Sequence, residues 1–212
     1  MMDTGILLLY TLGAMVIIIS PGPDFIYVTT RGIAQGRIAG VLSAAGISIG
    51  LMVHTTLAAL GLSALLQTSG VAFQAVKFAG AAYLIYLGVK VFLNKESLIQ
   101  QGEQVTRLNR FAILRQGIAT NVFNPKAIIT FMAFIPQFIN PTNSSATLQI
   151  IILGGIIAFL AVVWFGIVGY FAGTLGKWLC RQQQVQRIIR WATGCVLLGL
   201  GVRLAFSRSG GD

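Results

Sequence analysis

Six apolar stretches, each about twenty residues or longer, occupy most of the 212-residue chain. They run from Ile6 to Thr30, Ile38 to Leu66, Val71 to Leu93, Phe111 to Ile139, Thr147 to Thr174 and Val185 to Phe206. A helix of about 20 apolar residues crosses about 30 Å of hydrocarbon, so six of them predict an all-α polytopic membrane protein of six transmembrane helices. Charge agrees: a soluble domain is about a quarter charged, whereas here charged residues make up 9% and hydrophobic ones 56%. The lipid bilayer is therefore the first partner. Residues 1–10 carry Asp3 and no basic residue, and their apolar run continues into Ser20-Pro21-Gly22. That lacks the basic start and small-residue cleavage site of a signal peptide, so the first stretch is expected to be retained as a span.

The longest hydrophilic run, 94–110, divides the chain almost in half. The expected organisation is a first three-helix repeat at 1–93, a cytoplasmic linker at 94–110 and a second three-helix repeat at 111–212. A net charge of +10 would suggest nucleic acid in a soluble protein; in a membrane chain it reports topology, and no nucleic-acid partner is expected. The connections after stretches one, three and five hold eleven Lys and Arg residues, Arg31 and Arg37 among them, against three (Lys77, Arg203 and Arg208) on the other side. Basic residues stay inside, which predicts a multi-pass protein with both termini periplasmic. Cys180 and Cys195 show no C-x-x-C or Cys/His spacing, so they are expected to be packing residues, with no metal site.

Two stretches are broken. Ser20-Pro21-Gly22-Pro23 interrupts the first and Asn124-Pro125 the fourth. Proline removes N–H donors, and a break inside hydrocarbon survives only where protein or a water-filled cavity satisfies the freed backbone. Matching breaks in the first span of each half point to a transporter binding site, and halves with an odd number of spans must be inverted. The residue after each break is charged, Asp24 in one and Lys126 in the other. An intramembrane charge faces the interior by default. Asp24 could draw a substrate ammonium and Lys126 a carboxylate, helped by N–H groups at the restarted helix; alternatively the two form an ion pair that holds the halves together. Asn121 and Asn124, within a turn of Lys126, can bond a polar solute or freed carbonyls. His54, the single histidine, suits proton coupling by its titration range or serves as an interhelical hydrogen-bond partner. Glycines at Gly36, Gly40, Gly46 and Gly50, and again around Gly154, Gly155, Gly166 and Gly169, are spaced for close helix packing.

Ser20-Pro21-Gly22-Pro23-Asp24, Thr29-Thr30-Arg31-Gly32, Gly36-Arg37-Ile38-Ala39-Gly40, Gly80-Ala81-Ala82-Tyr83-Leu84 with Leu87-Gly88, and Asn121 with Asn124-Pro125-Lys126-Ala127 form one set. In these motifs the chain resembles the LysE/RhtB family of amino-acid exporters, particularly the homoserine/threonine branch, over nearly its whole length. The resemblance implies efflux of amino acids or close derivatives across a bacterial inner membrane, driven by protons, with no cofactor and no enzymatic activity. It agrees with the residues on Asp24, Lys126 and the two breaks, so the substrate and proton site is expected at Asp24, Lys126, Asn121 and Asn124, framed by Pro21, Gly22, Pro23 and Pro125, with His54 as a further proton candidate. A homo-oligomer is left open. Rival readings are an exporter of another small solute, which for a cation would want several oxygen ligands, a redox carrier, which would want paired thiols at the breaks, and a structural subunit, which gives no reason for charges beside helix breaks.

Overall fold

The computed structural model describes residues 4–20, 22–68, 70–93, 107–139, 146–172, 174 and 182–206, and every element among them is helical. In order these are α1 (Thr4–Ile19), α2 (Pro23–Gln35), α3 (Arg37–Thr68), α4 (Gly70–Leu93), α5 (Arg110–Val122), α6 (Pro125–Ile129), a π-helical turn (Thr130–Phe134), a 3-10 turn (Ile135–Phe138), α7 (Ala146–Tyr170) and α8 (Gln183–Phe206). The two breaks fall where the prolines place them: α1 and α2 meet at 56°, and α5 meets the helical segment Pro125–Phe138 at 52°. Among the described residues α3 and α7 are each long and apolar enough to cross a membrane, and each bent pair adds one such span. The chain is a polytopic helical membrane protein. Most of linker 94–110 lies outside the described residues, as do Pro21 and Cys180.

The helices assemble around α3, which packs along α7, α5 and α2, while α4 packs along α8. Small residues set these approaches. A Cβ at Gly40 would run into the backbone of Gly169 on α7, one at Gly46 into the Leu114 carbonyl of α5, and one at Gly50 into the side chain of Asn121. Close backbone approach is how apolar helices associate in lipid, where burial from water offers no driving force. The spacing argument fails elsewhere: Gly155 and Gly166 have no atom within 4 Å of an added Cβ. Gly36 likewise does not pack. It sits at φ 87°, the left-handed region, and its N–H bonds the Gly32 carbonyl at 3.1 Å, so it is the one-residue turn from α2 into α3.

Two expectations are corrected by where α2 and α8 run. Arg31, counted above as a loop cation, lies inside α2 and is 8% exposed, because the helix continues to Gln35 and stops only at Gly36. Cys195 is exposed on α8 and not a packing residue. The buried core joins Tyr10, Ala14, Ile17 and Ile18 of α1 to Phe131, Phe134 and Phe138 beyond α6 and to Ile150, Leu153 and Ile157 of α7. Long apolar side chains such as Leu8, Leu12, Leu57, Leu60 and Phe159 point outward, as a lipid-facing surface requires.

Candidate functional site

Both restarted helices open in the same register. Gly22 is the N-cap of α2 with Pro23 at its first position and Asp24 at its second; Asn124 is the N-cap of α6, followed by Pro125 and Lys126. Proline at the first helical position is favourable, since its missing N–H has no partner there anyway. Asp24 suits the positive end of a helix, and Lys126 opposes it. Local helix energetics therefore do not explain the lysine. The Asn124 side chain accepts from the Lys126 amide at 3.0 Å, so one N–H of the restarted helix is already taken.

The lysine reaches the other break. Lys126 Nζ donates to the Ser20 carbonyl at 2.8 Å, one of the acceptors that the end of α1 leaves without a helical partner. Asp24 Oδ2 accepts from Asn121 Nδ2 at 3.0 Å, so each charge is held by the opposite broken pair. Among the described residues no N···O contact within 4.0 Å joins Asp24 to a cation, and the direct ion pair is not made. Gly22 lies against the lysine stem, 3.5 Å from an added Cβ to Lys126 Cδ. Among the described residues six buried side-chain atoms make no hydrogen bond of ordinary geometry, and three of them lie here: Asp24 Oδ1, Asn121 Oδ1 and Asn124 Nδ2, with the Asn124 side chain turned toward the Asp24 carboxylate. Two acceptors and a donor left unpaired near opposite charges can take an ammonium and a carboxylate, and buried polar atoms are otherwise nearly always paired.

His54 is buried, with Nε2 at 3.2 Å from the Asn121 carbonyl and its ring stacked on Phe131 at 5.5 Å. Because the partner is a carbonyl, that bond needs the proton on Nε2. His54 thus holds the residue that holds Asp24, one step from the carboxylate. Thr130 Oγ1 donates to the Lys126 carbonyl at 2.8 Å, at the start of the π-helical turn that aims Phe131 at His54. Single π turns are a recurrent device for re-aiming side chains at functional sites.

Asp24, Lys126 and Thr130 line a small cavity of about 30 Å³ whose other walls are Ile17, Ile18, Leu51, Ala127, Ile157, Ala161 and Phe165. One side is charged and hydrogen-bonding, the other aliphatic. A water occupies about 10–15 Å³ by this measure, so the space takes about two waters, whereas ligand pockets run to about 300 Å³ or more. A solute of amino-acid size requires the helices to move apart.

The structure brings together Asp24, Lys126, Asn121, Asn124, Gly22 and His54 of the expected set. Pro23 and Pro125 are exposed at their helix starts and shape the backbone without lining the cavity. Sequence reasoning missed the aliphatic wall supplied by α7 and a polar seam between α2 and α5. In that seam Tyr27 Oη donates to the Ile113 carbonyl at 2.7 Å and Arg31 Nη2 to Gln116 Oε1 at 2.7 Å. Polar residues at Tyr27, Arg31 and Gln35, four apart on one helix face, were its available signal.

Comparison with known proteins adds the lineage. The sequence profile described as LysE type translocator matches residues 15–208. The membrane protein YrhP of Bacillus subtilis (strain 168) is 34% identical over 209 residues, covering 95% of this chain and 99% of the relative. The protein named leucine efflux protein in Enterobacter sp. (strain 638) is 29% identical, covering 92% and 93%, and its namesake in Klebsiella pneumoniae is 29% identical over 95% of both chains. No solved structure matches. With a profile match across nearly all its length, paired breaks in one register and a charge after each, this chain belongs to the LysE type translocator family and is a transporter, not an enzyme.

Proposed function

We propose that the chain is a secondary exporter of small neutral amino acids and their analogues, carrying them out of a bacterial cytoplasm across the inner membrane in exchange for protons. The path runs through six spans in two inverted three-helix repeats, 1–93 and 111–212. The shared register of the two breaks and the pairing of α3 with α7 and α4 with α8 support that symmetry. The observation that carries the reading is that Asp24 and Lys126, one from each broken pair, face one cavity while bonded to neutral partners that a ligand can replace.

In this mechanism the substrate ammonium docks on Asp24 and its carboxylate draws Lys126 Nζ off the Ser20 carbonyl. Once the cavity opens outward, a proton taken up by Asp24 cancels its charge and frees the ammonium. The neutral carboxylic acid then returns inward and gives up the proton to the cytoplasm. The aliphatic wall of Ile17, Leu51, Ile157 and Ala161 favours side chains such as that of leucine over the hydroxylated ones of threonine and homoserine. The efflux relatives named for leucine agree with both the direction and that preference.

Everted membrane vesicles test this. Labelled leucine, and more weakly threonine and homoserine, should accumulate when the interior is made acidic, and a protonophore should abolish the uptake. Failure of every amino acid in a broad panel to accumulate above vesicles lacking the protein would end the reading.

A further inference from the structure

Between the cavity and one membrane face lies the polar seam of α2 and α5. Tyr27, Arg31 and Gln35 succeed one another at four-residue intervals on α2, starting three residues after Asp24. Arg31 binds the Gln35 side chain at 2.9 Å as well as Gln116, and its guanidinium lies 5.7 Å from the centre of the Tyr27 ring. Gln35 Nε2 donates to the Leu108 carbonyl at 2.9 Å, and Gln35 Oε1 accepts from the Leu108 amide at 3.3 Å. The seam therefore joins the first broken pair to the second from Tyr27 to the last residue of α2, about 12 Å at the usual helical rise. Two turns before Ile17 on α1 the contacts are of another kind. Tyr10 stacks on Phe134 at 5.2 Å, both fully buried, and bonds the Leu153 carbonyl at 2.7 Å.

We infer that the Tyr27–Arg31–Gln35 seam is the gate on the face carrying linker 94–110, closed here and parting once in each transport cycle. The seam joins the two halves along α2, from three residues beyond the cavity-lining Asp24 to the end of the helix. The Tyr27, Arg31 and Gln35 bonds across the seam end on amide and backbone oxygens, groups for which entering water substitutes at small net cost. A polar gate facing an aqueous compartment wets as it opens, so its buried arginine is rehydrated and not stranded. This gate rests on the chain being a transporter, and not on which solute it carries.

The test tightens and loosens one bond. Gln116→Glu gives Arg31 a charged acceptor of the same shape, and charge-assisted bonds are roughly twice as strong as neutral ones; Gln116→Ala and Tyr27→Phe each remove a bond. Access is read in vesicles by the reaction of Ala161→Cys, on the cavity wall, with an impermeant maleimide, in a Cys180→Ser, Cys195→Ser background. Ser97→Cys in the linker marks which vesicle orientation exposes the gate's face. From that face, labelling of the cavity cysteine should fall about fivefold or more with Gln116→Glu and rise by a similar factor with Tyr27→Phe or Gln116→Ala, while leucine transport slows with Gln116→Glu. Equal labelling rates across these variants, in protein that elutes as folded, would overturn the gate. Labelling that follows the seam in a protein that carries no amino acid would leave the gate standing and remove the amino-acid reading alone.

Discussion

Lys126 is the residue whose position asks most for a reason. It stands at the positive end of a short helix, in an apolar bundle, with its amine on a carbonyl from the other break. Helix dipole and desolvation both oppose that placement, and a neutral donor could hold Ser20 equally well. The separate roles of the two charges predict separate failures. Asp24→Asn keeps the shape and a hydrogen bond to Asn121 but cannot exchange a proton. Net export driven by a pH gradient should drop by about tenfold or more, and what remains should be flat between pH 5.5 and about 8, as measured in everted vesicles. A residual rate that keeps the wild-type pH profile would move the proton site elsewhere, with His54 next to be tried. Lys126→Gln can still donate to the Ser20 carbonyl. If the amine serves the substrate carboxylate, the half-saturating leucine concentration should rise by about tenfold, the loss of one charge-assisted bond worth about 1.4 kcal/mol. Unchanged affinity would reduce Lys126 to a tie between the breaks.

Among the elements, the broken helices were legible because proline and charge act locally: a missing N–H and an ion in hydrocarbon have one resolution each, wherever the rest of the chain goes. The seam was not, although all of its side chains were in view. Arg31 lies near the end of an apolar stretch, where a basic residue ordinarily marks a loop, and only the helix running on to Gln35 turns it inward. The aliphatic wall on α7 was hidden for the opposite reason. That helix is apolar on every side, so nothing in its pattern tells the cavity-facing Ile157 and Ala161 from the lipid-facing Phe159. Glycine spacing was half legible. Gly40 and Gly50 make close approaches, whereas Gly36 turns the chain and Gly155 has no neighbour to admit. The distinction is testable on the α3–α7 contact. Gly40→Val places a branched side chain against the Gly169 backbone, and overpacking of this kind costs about 1–3 kcal/mol, seen as a lower unfolding midpoint in detergent. Gly155→Val, with open space around it, should leave the midpoint within about 0.5 kcal/mol of wild type. Equal losses at both positions would mean that α3 and α7 do not meet at Gly40.

At the scale of the whole molecule, contacts fix which connections share a face. Gln35 at the end of α2 bonds Leu108 just before α5, and Arg37 at the start of α3 bonds the Tyr170 hydroxyl at the end of α7, at 3.3 Å. The first, third and fifth connections thus lie together, as the proposed alternation of spans and inversion of the halves require. Eleven of the fifteen basic residues were assigned to that side by sequence. Moving Arg31 into the bundle leaves ten, still against three, so the bias survives the correction. With the basic side taken as cytoplasmic, as we propose, the gate between α2 and α5 opens inward, where an exporter loads. Two loops should then lie on opposite sides of the membrane. In a background without native cysteines, Ser97→Cys in linker 94–110 should react with an impermeant thiol reagent in everted vesicles and resist it in intact spheroplasts. Ser144→Cys, between the fourth and fifth apolar stretches, should do the reverse. Reaction of both from one face would deny the inversion, and with it the symmetry that sets Asp24 and Lys126 opposite each other; exchange of the two patterns would keep the inversion and turn the gate outward, reversing the direction in which the transporter loads.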